Sequence, residues 1–380
     1  MSAYLDHNAS APLLPRAREA MVAALALTGN PSSVHGPGRA LRAVIDDARD
    51  KVAQAAGAEA RQVVFTGSAT EAITQAIAGG VKAFEIDRIV VCATDHAAAL
   101  KAAEISGASV RVVGVDGDGI IDLGSLARHI ETADRAKEKL LVAFAWVNNE
   151  TGAVQPRGRI EAMVGPTPHI LVIDAVQALG KRDLDFAASA TDMMAISAHK
   201  IGGPAGVGAL LVKGHADTVR LVPGGGQEQG RRGGTESAAL IAGFGAACAS
   251  FTEVFDAGRV ADLVARFEER LLAVVSDAVI FSRGADRNGT TVNFAVPGIR
   301  NTVAMMSLDL AGIAVSSGSA CSSGKVGRSH VLSAMGVEPN LSECGLRVSF
   351  GWSSTEKDID AFFAAFETVL SRHRRDGAAA

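Results

Sequence analysis

Short apolar runs alternate with helical patterns over the N-terminal half of the chain. Each run is rich in Val, Ile and Leu, and small or polar residues and then apolar positions at helical spacing follow it. The pattern predicts strands at residues 62–65, 88–92, 109–113, 140–146, 169–173, 193–197 and 207–212, and helices at 15–27, 38–56, 71–84 and 97–106. Strands that alternate with helices favour an α/β fold with a mostly parallel, seven-stranded sheet covered on both faces.

The pattern changes after Leu240, where helices and strands no longer alternate regularly. A helical region is expected at residues 242–275; strands are expected at 279–281, 291–294 and 345–350, and helices at 303–310, 330–335 and 356–371. We interpret this part as a smaller α+β domain, with residues 372–380 as a frayed tail. The expected division is a large domain at residues 16–250 and a small domain at 1–15 and 251–380.

Composition narrows the class of protein. A chain of 380 residues is too long for one compact core, so two domains are expected. The net charge is −4 without a basic block, which argues against nucleic acid and anionic membranes as partners. No apolar run reaches the length of a membrane span, and the start lacks the pattern of a signal peptide. The four cysteines include no CxxC pair, so neither disulfides nor a zinc site is expected. A cytoplasmic location is therefore expected.

Lys200 is the first candidate for chemistry. It follows the apolar residues 193–196 and precedes a turn rich in Gly and Pro, so a buried strand is expected to deliver it to the edge of the sheet. Burial disfavours an ammonium ion, which makes the amine nucleophilic and suited to a Schiff base with an aldehyde cofactor, above all pyridoxal phosphate (PLP). The alternative is an ordinary surface lysine at a turn.

Two other strand ends carry groups that a PLP site needs. Residues 66–71 combine Thr, Gly and Ser before a helix, which suits a phosphate cradle, although Ser68 or Thr70 could simply cap the helix. Asp174 ends an apolar strand and could hold a protonated pyridine nitrogen, with helix capping again the alternative. Gln177 lies within reach of the same ligand. Residues 4–12 are expected to line the mouth of the pocket with backbone groups.

His96 and Asn149 also follow predicted strands. The imidazole of His96 could stack on a cofactor ring and move protons near neutral pH, although a lone histidine is more often a satisfied polar residue. Asn149 lies in a polar turn and could offer its amide to a ring hydroxyl.

Cys321 differs from the other cysteines in its surroundings. It lies in a loop of Gly and Ser at residues 315–324, where a thiol is expected to be accessible and a nucleophilic role is plausible. Cys92, in a strand, and Cys248, in a helix, are expected to pack in the core.

Taken together, these motifs resemble those of the cysteine desulfurases, PLP enzymes of the class V aminotransferase family. The resemblance covers nearly the whole chain. The Ser-Ser-Gly-Ser-Ala-Cys run ending at Cys321 is similar to the iron–sulfur assembly and nitrogen-fixation group, and residues 224–236 lean toward the nitrogen-fixation version. The family implies PLP-dependent transferase fold type I, with the Cys321 loop on the small domain.

The resemblance assigns roles to individual positions. It implies that Lys200 forms the Schiff base, that Asp174 binds the pyridine nitrogen and that His96 stacks on the ring. Gln177 and Asn149 match partners of the ring hydroxyl, and Arg347 matches the arginine that binds the substrate carboxylate, near Asn149. The implied phosphate-binding set is Ala69, Thr70, Ser197 and His199, with Thr235 supplied by the neighbouring subunit of a homodimer.

The implied reaction converts L-cysteine to L-alanine and leaves the sulfur on Cys321 as a persulfide. Lys200 would remove the α-proton, and His96 would take part in a proton transfer. An iron–sulfur scaffold or another sulfur acceptor would be the partner. No resident metal is expected, although Cys321 could hold an iron–sulfur cluster transiently. The pathway that receives the sulfur stays open.

Two departures from the family pattern and several alternatives remain. Gln229 stands where the family usually has arginine, and Ala97 follows His96 where a lysine is common; both could alter partner or loop behaviour. A selenocysteine lyase or an aminotransferase of the same fold is an alternative, and so is a non-catalytic scaffold, although the intact candidate residues argue against the latter. A nicotinamide-dependent dehydrogenase is set aside because no GxGxxG follows an early strand.

Overall fold

The computed structural model describes residues 2–220, 222–317 and 328–378. Its strands are β1 (Ala3–Tyr4), β2 (Val63–Thr66), β3 (Arg88–Cys92), β4 (Ser109–Val113), β5 (Leu140–Ala145), β6 (Ile170–Asp174), β7 (Met193–Ser197), β8 (Gly208–Val212), β9 (Val279–Ile280), β10 (Thr291–Ala295), β11 (Ile313–Ala314) and β12 (Gly345–Ser349). Cys321 lies outside the described residues, so the predictions about its loop stay predictions.

Thirteen α-helices are present in the described part of the chain. They are α1 (Pro15–Leu25), α2 (Gly36–Ala55), α3 (Ala69–Thr74), α4 (Gly80–Phe84), α5 (Ala97–Ile105), α6 (Leu123–Ala136), α7 (Arg157–Val164), α8 (Ala238–Val254), α9 (Ala257–Val274), α10 (Asn301–Leu310), α11 (His330–Ala334), α12 (Pro339–Ser342) and α13 (Glu356–Ala378). A buried π-helical turn, Gln75–Gly79, joins α3 to α4.

The large sheet has the strand order β2-β8-β7-β6-β5-β3-β4. Among these seven strands, β8 runs in the direction opposite to the other six, which confirms the prediction of a mostly parallel sheet. Alternate residues of each strand enter different hydrophobic clusters: Val90 packs on one face and Val91 on the other. Both faces are therefore covered, and the carboxyl ends of the parallel strands form one exposed edge where a ligand can bind.

The C-terminal part contains an antiparallel sheet in the order β12-β10-β9. The N-terminal strand β1 pairs in parallel with β11, which brings the first residues of the chain next to this part. Four phenylalanines, Phe267, Phe294, Phe362 and Phe366, form its aromatic core between α9, α13 and β10. The domain boundaries proposed from the sequence stay a prediction.

Several predicted elements differ from the structure. Helices α6 and α7 were not identified, although α6 buries Leu126, Ile130 and Ala133 at helical spacing. The region 242–275 is two helices, since α8 ends at Val254 and Asp256 caps α9 by accepting the N–H of Arg259. The prediction of a frayed tail was wrong over residues 372–378. Helix α13 continues to Ala378, through residues that include no proline.

Within the described ranges, no single helix is both long and apolar enough to span a bilayer. One bent pair, α8 with α9, passes the same length and composition criteria together.

Candidate active site

A cavity of about 320 Å³ lies beyond the carboxyl ends of β3, β5, β6 and β7. This volume is at the lower end of the range of roughly 300–1,000 Å³ that is typical of small-molecule sites. Nine residues singled out from the sequence line it: Ala69, Thr70, His96, Asn149, Asp174, Gln177, His199, Lys200 and Arg347. Strand ends that are distant in sequence converge here because the strands are parallel.

Three candidates do not line the cavity. Ser197 is fully buried behind His199, and its hydroxyl lies 2.8 Å from His199 Nδ1. Thr235 is exposed at the surface of this single chain. Cys321 belongs to residues 318–327, which are not described.

Lys200 ends the short turn Ala198–Lys200 that follows β7. Its Nζ donates to the carbonyl oxygens of Asn8, at 2.6 Å, and Ala9, at 2.8 Å. Both acceptors belong to the segment before α1, so the prediction that residues 4–12 offer backbone groups to the pocket is confirmed. Two neutral acceptors thus hold the amine at the wall of the cavity, and the alternative of an ordinary surface lysine is wrong.

Asp174 is the last residue of β6, and burial raises the pKa of its carboxyl group. The backbone N–H of Val176 donates to Oδ1 at 2.9 Å and opposes that shift, as do the charges of His96 and Lys200. No helix begins at this turn, so capping does not explain the acid. A cation bound in the cavity would favour the ionised carboxylate.

The cradle candidate caps a helix and also borders the cavity. Ser68 caps α3, because its Oγ accepts the N–H of Glu71 at 3.2 Å. Ala69 and Thr70 form the first turn of that helix beside the cavity, where N–H groups have no helical acceptors. A side chain at Gly208 would lie 2.8 Å from the nitrogen of Ala69, so glycine is required for β8 to support this turn so closely.

Two histidines border the cavity and present hydrogen-bonding ring nitrogens. His96 precedes α5, and its Nδ1 accepts the N–H of Ala98 at 3.1 Å, which leaves Nε2 as the protonated nitrogen of the neutral ring. Burial, with the charges of Lys200 and Lys181, lowers the pKa of His199 to about 4. His199 is therefore neutral at neutral pH and acts there by hydrogen bonding.

Arg347 reaches the cavity from β12 and is 2% exposed. Its Nη2 lies 2.8 Å from Asp6 Oδ1, and its Nη1 donates to the carbonyl oxygen of Asn149 at 3.0 Å. Its buried Nε has no hydrogen-bond partner among the described residues. An orphaned guanidinium N–H beside a cavity fits a carboxylate ligand.

Other buried acids near the site were not singled out as functional. Burial raises the pKa of Asp95 to about 7, and its two oxygens accept the N–H groups of Cys92 and Ala145, which ties β3 to β5 directly before His96. Burial also raises the pKa of Glu150, whose Oε2 accepts the hydroxyl of Ser329 at 2.6 Å. Both acids lie in polar turns that follow apolar strands, and this was the available signal.

The other cysteines lie in the core, and the described residues offer no metal site. Cys92, Cys248 and Cys344 are buried free thiols, and burial raises the pKa of each, which confirms core packing for the first two. No group of three His, Cys, Asp or Glu residues in the described ranges is arranged to hold a metal ion.

Comparisons with known proteins agree with this geometry. The family model described as aminotransferase class-V matches residues 3–362. The IscS-like cysteine desulfurase of Mycobacterium tuberculosis is 35% identical, over 100% of this chain and 98% of that protein. A cysteine desulfurase of Cereibacter sphaeroides is 36% identical, over 98% of this chain and 96% of that protein. Among solved structures, a NifS-like protein from Rickettsia africae matches with a TM-score of 0.87 and 30% identity, covering 98% of this chain and 100% of that one.

Proposed function

Because the chain belongs to the aminotransferase class-V family, we propose that it is a PLP-dependent cysteine desulfurase, and that the cavity at the sheet edge is its active site. The single observation that carries the proposal is that one cavity joins Lys200, Asp174 and Arg347. They supply an amine, an acid and a guanidinium to the same small space: Lys200 follows β7, Asp174 ends β6 and Arg347 lies within β12.

The residues present fit PLP. The orphaned Nε of Arg347 suits a carboxylate of the amino-acid substrate, and burial raises the pKa of Asp174, an effect that a cationic ring nitrogen would oppose. Asp174 would hold the protonated ring nitrogen, His96 would lie against the ring, and the first turn of α3 with His199 would hold the phosphate. When bound, PLP would take up the electron pair released at the substrate α-carbon.

This chain's own groups would perform the remaining steps. Arg347 would orient L-cysteine through its carboxylate, and Lys200 would accept the α-proton. The sulfur of Cys321 would then form an S–S bond with the substrate sulfur while the substrate C–S bond breaks, its electron pair staying with carbon. Protonation of that carbon, and return of a proton from Lys200 to the α-carbon, would give L-alanine, and a persulfide would remain on Cys321.

The sulfur acceptor and the assembly state belong to the same proposal. Relatives named for cysteine desulfurase support a sulfur-acceptor partner such as an iron–sulfur scaffold. The exposed position of Thr235 is compatible with its completing the site of a second copy in a homodimer. The cytoplasmic location, the identity of the acceptor and the effects of Gln229 and Ala97 stay predictions.

Cysteine variants test the sulfur-transfer step. Cys321→Ala should abolish the release of sulfide from L-cysteine, while Cys248→Ala, a change of a buried thiol, should leave it intact. Sulfide and alanine are measured together under reducing conditions. Sulfide release that survives in Cys321→Ala would contradict the role of Cys321, and formation of a keto acid in place of alanine would indicate an aminotransferase.

A further inference from the structure

A second lysine lies behind the cavity, in a chain of hydrogen bonds that ends at Lys200. Lys181 Nζ donates to Gln177 Oε1 at 3.2 Å, and Gln177 Nε2 donates to the carbonyl oxygen of Asn8 at 3.0 Å. The same carbonyl oxygen accepts Lys200 Nζ at 2.6 Å. From this chain of contacts we propose that Lys181 is a positioning residue, which fixes the amide of Gln177 so that its N–H donors serve the cavity.

The two partners of Gln177 select the same amide orientation. Protonated Lys181 is only a donor, so it requires the amide oxygen, and the carbonyl of Asn8 is only an acceptor, so it requires the amide nitrogen. If the amide were rotated, its nitrogen would face the donor of Lys181 and its oxygen would face the carbonyl oxygen of Asn8. Both hydrogen bonds would then be lost. Gln177 is 4% exposed, so water cannot readily satisfy the rotated form.

Lys181 forms no ion pair with a carboxylate among the described residues, so an ion pair does not explain its position. Burial, with repulsion from Lys200, lowers the pKa of Lys181 to about 7. No carboxylate lies within ion-pair distance of Lys181 in the described part of the chain. Burial of an amine whose hydrogen-bond partner is a neutral amide lowers the stability of the fold. Such unfavourable burial is common at functional sites.

The consequence for the site follows from the second N–H of Gln177 Nε2. Gln177 lines the cavity, and only one of its two amide hydrogens is used by Asn8. The other is available to an acceptor in the cavity, such as the ring oxygen of PLP. This inference rests on the proposed function, and it adds Lys181, which does not line the cavity, to the groups that determine how the cofactor is held.

The test measures the dissociation constant of PLP and the visible absorption band of the loaded protein. Lys181→Met removes the donor and keeps most of the side-chain volume, and should weaken PLP binding about tenfold, the effect of one hydrogen bond to a charged group. Lys181→Arg restores a donor and should lie closer to wild type. Lys181→Gln provides a second neutral variant should the methionine not fold.

A double-variant cycle separates positioning from a general structural role. Gln177→Ala should weaken binding and shift the band as Lys181→Met does, and the combined variant should show no further loss, because both changes remove the same interaction. Lys213→Met is the control: Lys213 also donates to a carbonyl oxygen, that of Ala187, but this contact is exposed and Lys213 does not line the cavity, so its loss should leave binding unchanged.

The outcomes distinguish this inference from the proposed function. Additive losses in the double variant, or unchanged binding and absorption in both neutral variants of Lys181, would overturn the role of Lys181 while leaving the function standing. A wild-type protein that neither binds PLP nor releases sulfide and alanine would overturn the proposed function itself.

Discussion

Two buried groups of charges in this molecule are compensated in different ways. Between α2 and the loop after β8, Arg49 and Glu228 form a bidentate pair with N–O distances of 2.7 and 2.8 Å. Glu228 also accepts the N–H of Phe65, and the guanidinium lies over the ring of Phe65. In the cavity, by contrast, Lys200 donates to neutral carbonyl oxygens, and burial raises the pKa of Asp174.

This difference distinguishes charges that stabilise the fold from charges that can bind a ligand and exchange protons. An acid and a base that meet bidentately satisfy each other, so a ligand has little to gain from them. An amine held by neutral acceptors and an acid held by one backbone N–H keep the capacity to bind a charged ligand and to exchange protons. Three predictions test this contrast.

The largest effect is expected at Lys200. Lys200→Ala should lower the rate of sulfide and alanine formation by at least about 10²–10⁴-fold, the contribution of a positioned general base. The protein should remain folded, because the hydrogen bonds that the change removes end on the neutral carbonyl oxygens of Asn8 and Ala9. Product assays and a thermal unfolding curve measure both. Lys213→Ala is the control, and comparable losses in both variants would contradict a specific role for Lys200.

At the compensated pair, the effect should fall on stability. Glu228→Ala leaves Arg49 buried without its partner, and should lower the free energy of unfolding by about 3–5 kcal/mol in urea denaturation. Replacing both residues by Met should recover much of that loss, because no uncompensated charge remains.

The control for that pair is an exposed one. Arg266 and Glu356 form an ion pair at 2.7 Å with both side chains exposed, and Glu356→Gln should change the free energy of unfolding by less than about 1 kcal/mol. If the double Met variant were as unstable as Glu228→Ala, the account of Glu228 as a counter-charge would fail.

A smaller effect is expected from His7, which lies directly before the segment that contacts Lys200. Burial, with the charge of Lys181, lowers the pKa of His7 to about 3. The unfolded chain therefore binds a proton near pH 6.5 that the folded chain rejects, so stability is lost as the pH falls. From pH 8 to pH 5, His7 should cost about 2 kcal/mol of unfolding free energy.

His7→Asn should remove that share of the pH dependence, measured by urea denaturation at both pH values. Asp95 acts in the opposite direction: burial raises its pKa to about 7, so its contribution to stability is lost as the pH rises. The contribution of Asp95 is the same in the wild-type protein and in His7→Asn, so it cancels when their pH dependences are compared. Equal pH slopes in the two proteins would refute the assignment to His7.

The sequence predicted the sheet side of the cavity better than the opposite side. Lys200, Asp174 and His96 each follow an apolar run, and the rule that parallel strands end at one edge suffices to bring them together. The fold class and the family resemblance are confirmed on the same basis. Ser68 shows the limit of a local pattern, since the same turn both caps a helix and borders the cavity.

Partners that are distant in sequence could not be predicted. Asp6 and Arg347 are separated by 341 positions and Arg49 and Glu228 by 179, and only the packed fold brings them together. Lys181 was missed for the same reason: its environment is set by Gln177 and by the charge of Lys200, not by a local pattern. Glu228 further requires a left-handed backbone conformation, with φ of 47°, that no local sequence rule indicates for Glu.

The most direct test of the central claim is the absorption spectrum of the purified, PLP-loaded protein before and after addition of L-cysteine, with sulfide and alanine assayed in the same sample. We expect a yellow protein with a band near ~400–430 nm, from PLP joined to a lysine, that changes with L-cysteine as both products form. A colourless protein that PLP cannot restore would contradict the assignment of Lys200 and Asp174 as an active site.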